Sequence, residues 1–269
     1  MSGRIASAFE AARLARRAAF VPFLTAGFPD AGESLRLASA LCEEGADILE
    51  LGVPFSDPLA DGPVIQRASE TALRAGATLT GALDLARQLR ERRSVPLVLM
   101  SYLNPVLRLG VGTFAREAAA AGVDGVLLVD LPPEEDPGTW DALRASGLDT
   151  IAMVSPTTDS ARIAAIARRA SGYLYVVARL GVTGRGGADP EIGALLRSCR
   201  EVSPLPRCLG FGFDLSSDMA PLRGAAEGII VGSALLAPLL EARDGAVREA
   251  LVRSFARAFR PRLDGWTPG

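Results

Sequence analysis

The sequence predicts an α/β protein, a closed (β/α)8 TIM barrel with one domain spanning residues 1–269. Three observations predict it. Eight short runs, apolar nearly throughout, recur along the chain, as strands covered on both faces should be. Helical stretches rich in Ala, Leu, Arg and Glu separate them, and that alternation implies a parallel sheet. Eight such units in 269 residues favour closure over an open doubly wound sheet.

The strands read, in order, as FVPFLTA (20–26), ADILELG (46–52), PLVLMSY (96–102) and GVLLVDL (125–131), then DTIAMVS (149–155), GYLYVVA (172–178), PRCLGFG (206–212) and GIIVGSA (228–234). Helices are expected over 31–44, 79–92, 111–121, 160–170 and 191–200. Several end in Gly before the next strand, as in EEGAD and AAGVDG, which is a helix stop signal. The basic N-terminal stretch MSGRIASAFEAARLARRAAF contains Glu10 and runs directly into the first strand, so it reads as a helix at the domain edge rather than a transit peptide. No Pro-, Gly- or Ser-rich linker and no low-complexity tract divides the chain. Two connections, 53–78 and 179–190, are too long for a simple crossover. Both follow the C-terminal ends of strands, where barrels of this type carry function.

Composition removes several chemistries. A formal charge of −2 leaves no basic excess for phosphate-held nucleic acid. No run of ~18 apolar residues suggests a membrane span. Cys42, Cys199 and Cys208 have no metal-ligand spacing and read as reduced thiols of a cytoplasmic protein. Histidine is absent, which removes Ser-His-Asp triads, Cys-His pairs and His-based metal sites. Lysine is absent too, which removes Schiff-base and pyridoxal-phosphate chemistry within this chain. Acid–base work falls to carboxylates, tyrosine or cysteine.

The stretch LELGVPFSDPLADGP (49–63) supplies carboxylates where the fold needs them. Strand alternation puts Ile48 and Glu50 on one face and Leu49 and Leu51 on the other. The leucines suit the helix side, so Glu50 points into the barrel near its top. Desolvation there raises a carboxyl pKa toward working pH and suits general acid–base catalysis; a glutamate satisfied by hydrogen bonds within a barrel layer is the other reading. Asp57 and Asp61, taken alone, read as turn or cap residues. Pro54, Pro58 and Pro63 stiffen this loop, which fits one that places a carboxylate accurately.

The end of the chain suggests an anion site. GIIVGSALL ends a strand at Gly232, and Ser233 can cap the helix that follows, with backbone amides facing the mouth. Gly210 and Gly212 stand at the end of strand 7, and Gly184 lies in the GVTGRGG loop after strand 6. Glycines after strands 6, 7 and 8 together favour a phosphorylated substrate.

LELGVPFSDPLADGPVIQRASETAL resembles the signature of the tryptophan synthase alpha subunit family. FLTAGFPD, SYLNPV, VDLPPEE, RLGVTGRGG, GFGF and IIVGSAL extend the resemblance, in order, over the whole chain. It implies a barrel with an extra N-terminal helix. It implies a carbon–carbon lyase of tryptophan biosynthesis that cleaves indole-3-glycerol phosphate to indole and glyceraldehyde 3-phosphate. By motif match, Glu50 is the general acid–base, Asp61 pairs with the indole N–H, and Tyr175 is the active-site tyrosine. Gly184, Gly212, Gly232 and Ser233 match phosphate-binding positions, and Phe23, Leu99, Leu127 and Phe211 the walls of the indole pocket. No metal and no cofactor is implied in this chain. Pyridoxal phosphate belongs to the beta subunit, which receives indole, in an implied alpha2-beta2 complex. Pro54 and Asp57 fall in the loop that meets that partner, and Arg179 could anchor the closing loop or make an ordinary surface ion pair. The chain departs from the family pattern at Leu180, at the Gly-rich 185–188, and at Phe213 and Asp214. A stand-alone indole-3-glycerol-phosphate lyase, a non-catalytic activator of a beta subunit, and another phosphosugar isomerase or epimerase are the rival readings.

Overall fold

A computed structural model describes residues 3–177, 190–210 and 212–266. The strands are β1 (Ala19–Thr25), β2 (Leu49–Gly52), β3 (Leu97–Ser101), β4 (Gly125–Leu128), β5 (Asp149–Val154), β6 (Leu174–Val177), β7 (Arg207–Gly210) and β8 (Gly228–Val231). They close in chain order into a parallel barrel, with β8 returning to β1. The helices are α1 (Arg4–Leu14), α2 (Ala31–Glu43), α3 (Pro63–Arg74), α4 (Leu79–Arg90), α5 (Leu103–Leu109), α6 (Val111–Ala120), α7 (Pro137–Ala145), α8 (Ser160–Arg169), α9 (Pro190–Val202), α10 (Ser233–Glu241) and α11 (Gly245–Phe259).

The paired segments are shorter than the apolar runs that predicted them. The run 228–234 stops pairing at Val231, because Gly232 turns the chain into α10. The connection 53–78 is not all loop, since it contains α3. Pro63 opens that helix, where its missing N–H is harmless, and Ile65, Ala68 and Ala72 bury one helical face. Gly45 and Gly122 do end helices as expected, at φ 89° and 81°, where a Cβ would be strained.

Register sorts the strand residues into two faces. Phe23, Glu50, Val98 and Gly125 stand side by side on β1 to β4. Met100, Leu127 and Ile151 form the next row, and Met153, Tyr175, Cys208 and Gly228 continue around the barrel. This face is the interior: a Cβ at Gly125 would meet Ile151 at 2.6 Å and Ile5 of α1 at 2.9 Å. The opposite face packs on the helices, as Phe20 does on Phe259 of α11, with ring centroids 5.6 Å apart.

The N-terminal mouth is closed and stitched. α1 buries Ile5, Phe9 and Ala12 across it, and Phe9 meets Tyr173 edge-on at 5.8 Å. The expected N-terminal helix is therefore a plug. Before each even-numbered strand a side-chain oxygen accepts a main-chain N–H at or beside the start of the preceding strand. Asp47 takes Phe20 N at 2.8 Å, Asp124 takes Leu97 N at 2.8 Å, Ser171 takes Thr150 N at 2.8 Å, and Glu227 takes Arg207 N at 2.7 Å. Each of the three carboxylates also holds arginine: Arg17 on Asp47, Arg4 and Arg90 on Asp124, and Arg207 on Glu227. These three carboxylates are thereby paired, whereas Asp149 at the start of β5 has only the Ser171 hydroxyl, and burial raises its pKa.

Candidate active site

Glu50 lies on the interior face of β2 and is fully buried. Both its carboxyl oxygens lack a hydrogen-bond partner among the described residues. Burial, and secondly the negative charge of Asp61, push its pKa up to about 8, so the group holds a proton at neutral pH. Tyr173 and Tyr175 have phenol pKa values raised well above the ordinary one, by burial and then by the Glu50 charge. The Cys208 thiol is raised by burial, then by Glu227 and Glu50. The register of Glu50 with Phe23 and Val98 turns it into the barrel, toward these groups beside and on β6 and β7. Glu50 thus lies on the interior face that strand alternation assigns it, and no hydrogen bond from the described residues satisfies it there.

Asp61 ends the loop after β2, just before α3, and is half-buried. Burial pushes its pKa up to about 6, while a hydrogen bond from the Tyr102 hydroxyl pulls it down. The two carboxyls are therefore held apart, one protonated and one ionised near pH 7. Asp61 Oδ1 is buried without a partner among the described residues, so one oxygen remains open for a ligand. Sequence reasoning did not single out Tyr102. This residue directly follows β3, is 4% exposed, and its hydroxyl also accepts the Ala60 N–H at 3.0 Å. Phe55 packs on its ring at 5.0 Å. Tyr102 thereby fixes both the position and the charge of Asp61. Its place at the C-terminal end of a barrel strand, inside SYLNPV, was the available signal.

Phe23, Leu127 and Tyr175 stand on the interior face, as wall and site residues must. Leu99 does not. It shares register with Leu51 and Val126 on the helix-facing side, and strand alternation gives the inward place to Met100, beside Gly52 and Leu127. The Tyr175 ring lies over β7, where a Cβ at Gly210 would sit 2.3 Å from its hydroxyl.

Gly232 is the N-cap of α10 and Ser233 its first residue, both half-buried. The expected Ser233 cap is not formed, and no side chain caps this helix. Leu235 N–H turns back to Gly232 O at 3.0 Å, which leaves the amides of Ser233 and Ala234 to face an anion. Gly212 is exposed with φ 84°, a conformation suited to glycine at the turn after β7. Asp214, one of the departures, works on its own loop. Burial would raise its pKa, but hydrogen bonds from Ser216 and Ser217 prevail and hold it low. Phe213 beside it is buried. Gly184, Phe211, Arg179, Leu180 and the segment 185–188 lie outside the described residues. In the loop after β2, Pro54 is buried rather than displayed, because the chain packs down directly after the strand. Asp57 is exposed and accepts the Ser56 hydroxyl at 2.5 Å.

This arrangement offers a buried proton donor on β2, an anionic acceptor on the loop that follows it, and helix amides at the start of α10, one strand beyond β1. Among the described residues no group of three potential metal ligands gathers. Such a site can protonate a carbon, pair with a ring N–H, and hold a phosphate.

Comparison with known proteins identifies the family. The protein-family model "Tryptophan synthase alpha chain" matches residues 9–259. The tryptophan synthase alpha chain of Geobacter sulfurreducens is 46% identical over 96% of this chain and 97% of its own. That of Solibacter usitatus is 42% identical over the same shares. Among solved structures, Mycobacterium tuberculosis tryptophan synthase superposes with a TM-score of 0.86 at 36% identity, covering 97% of this chain and 99% of that one. The tryptophan synthase subunit alpha of Legionella pneumophila does so at 0.85 and 38% identity, over 96% and 98%. Matched along nearly its full length by sequence and by backbone, the chain belongs to the tryptophan synthase alpha chain family.

Proposed function

We propose that this chain carries out the alpha reaction of tryptophan synthase, cleaving indole-3-glycerol phosphate to indole and glyceraldehyde 3-phosphate. One observation carries the assignment of roles: two carboxyls at one mouth, one held protonated and one ionised at neutral pH. Glu50 gives its proton to the indole carbon bearing the side chain. Asp61 accepts the indole N–H and stabilises the cationic tautomer that forms. The carbon–carbon bond breaks, its electrons return to the ring, and the adjacent hydroxyl loses its proton to the Glu50 carboxylate. Glu50 ends as it began, so the proton count balances. The protonated ring is the electron sink, so the chemistry needs no lysine Schiff base. Tyr175 borders the reacting centre. The amides at Gly232 and Ser233, with the turn at Gly212, receive the phosphate. Gly184 and Phe211 belong to the same assignment by motif.

The partner in this reading is a beta subunit that takes the released indole, in an alpha2-beta2 assembly, with pyridoxal phosphate confined to that partner. Asp57 lies on the face offered to it. The same loop displays Leu59 at 95% exposure, and α5 displays Leu107 at 53%. Exposed leucines flanking the active mouth suit a protein surface that must seal against another. A cytoplasmic setting belongs to the same proposal; among the described residues no helix is long and apolar enough to cross a membrane.

Indole release from indole-3-glycerol phosphate by the purified chain, with and without a beta subunit, tests this. Slow release that accelerates with the partner supports the proposal. Fast release that ignores the partner makes the chain a stand-alone lyase. A chain that only activates the beta subunit refutes the catalytic roles.

A further inference from the structure

Gly52 ends β2, two residues beyond Glu50 on the same interior face. Its φ lies outside the left-handed region, so the backbone there does not demand glycine. Space does. A Cβ at this position would fall 2.3 Å from Phe23 Cζ and 2.5 Å from Cε2, and real Cβ atoms do not approach so closely. The ring therefore occupies the volume that a side chain at 52 would take. Phe23 itself pairs in register with Glu50 and is 4% exposed, so its ring rises from beside the acid and lies across the end of β2. Its other flank touches Gly232, where a Cβ would lie 3.3 Å from Phe23 Cδ1. One ring thus spans from the strand that carries Glu50 to the helix start that offers amides to the phosphate.

We propose that Gly52 is a positioning residue for binding of the aromatic end of the substrate: by having no side chain it seats the Phe23 ring flat, and so sets the shape of the wall beside Glu50. This rests on the reading of the substrate given above. A methyl group at 52 cannot push the strand aside, because Gly52 O accepts Ala26 N at 2.8 Å and the β2–β3 ladder continues through Val53 N to Met100 O at 2.8 Å. The ring must move instead. Its free directions are inward, over Glu50 where the indole must lie, or toward Gly232 and the phosphate amides. Either motion weakens binding more than it alters the bond-breaking step.

The test is steady-state cleavage of indole-3-glycerol phosphate by wild type, Gly52→Ala, Phe23→Leu and the double variant, with Tm measured for each. Gly52→Ala is expected to raise KM about tenfold while kcat changes less than about threefold, the pattern of lost binding rather than lost chemistry. Phe23→Leu raises KM on its own, since a wall is lost. In that background Gly52→Ala is expected to add less than about twofold, because the smaller side chain leaves room for the methyl. Should Gly52→Ala fail to fold alone, folding of the double variant supports the same steric account, and failure of both overturns it. An equal penalty in both backgrounds, or a KM within about twofold of wild type, also overturns it. An inactive wild type overturns the functional reading and this inference with it. An active wild type with an indifferent Gly52→Ala overturns the role of Gly52 alone.

Discussion

Replacing Glu50 by Gln should separate the stability of this fold from its chemistry. In the unfolded chain Glu50 ionises near its ordinary value of 4.5, whereas in the barrel it keeps its proton up to about 8. Between those values the folded state binds more protons than the unfolded one, so stability is fully present below about 4.5 and is lost as pH rises toward 8. Each pH unit in that window corresponds to about 1.4 kcal/mol, so at pH 7 the full effect is ~3 kcal/mol, less whatever relaxation of the barrel mouth returns. Gln keeps the size and polarity but cannot titrate. Asp61 titrates in both proteins and largely subtracts out. Any fixed cost of burying an amide is the same at every pH. The advantage of Gln over wild type in urea unfolding should therefore grow by ~1–3 kcal/mol between pH 5 and pH 8, then level off. Cleavage should meanwhile fall by ~10²–10⁴ or more with the barrel intact. A stability difference that stays flat from pH 5 to pH 8 would refute the raised pKa, and with it the argument for a proton donor.

The same two groups predict the pH profile of kcat/KM. Activity should rise as Asp61 ionises near 6 and fall as Glu50 loses its proton near 8, and a profile without both limbs contradicts the division of roles. Tyr102→Phe removes the hydrogen bond that lowers the Asp61 pKa, so the acidic limb should move to higher pH, and an unmoved limb would show that the hydroxyl does not set that charge. Arg248→Ala should cost ~3–5 kcal/mol in chemical denaturation, because Arg248 pairs at 2.9 Å with Glu33, which is nearly buried, and also serves the Leu239 and Ala242 carbonyls. Activity per folded molecule should be unchanged, since both residues sit on outer helices and neither lies on an interior strand face.

The barrel was legible because its signals are local and repeated: an apolar run, a helix, a glycine stop. Glu50 was legible for a related reason. A lone carboxylate within an apolar run breaks the pattern, and two-residue alternation assigns its side. Leu99 and Met100 had no such mark. Both are apolar, and only pairing with β2 and β4 decides which one turns inward. α3 was readable in principle, because Ile65, Ala68, Ser69 and Ala72 recur at helical spacing opposite a polar face, but the prolines just before it and at its first position drew the whole connection into one loop. The strand-end place of Tyr102 was visible, but its task was not, because its partners, Ala60 and Asp61, sit some forty residues earlier and meet it only once the barrel has closed. Ser233 looked like a cap because serine often is one, yet Gly232 takes that position and leaves the first amides open.

The two ends of this barrel follow opposite rules, and the contrast explains why the site can exist. At the N-terminal end the acidic side chains before β2, β4 and β8 are saturated by main-chain N–H groups and arginines, and α1 seals the mouth. At the C-terminal end Glu50 is buried with neither oxygen satisfied by the described residues, and Asp61 keeps one oxygen open. Each such group costs about 1–3 kcal/mol. A hydrogen bond or arginine supplied to Glu50 from within the protein would recover that energy, but it would also draw the pKa back below neutrality and discharge the acid. Reactivity here depends on the missing partner. The strand ends nonetheless stay in place, because they are held by the closed ladder and by the stitching at the far mouth, not by contacts to the carboxyls themselves.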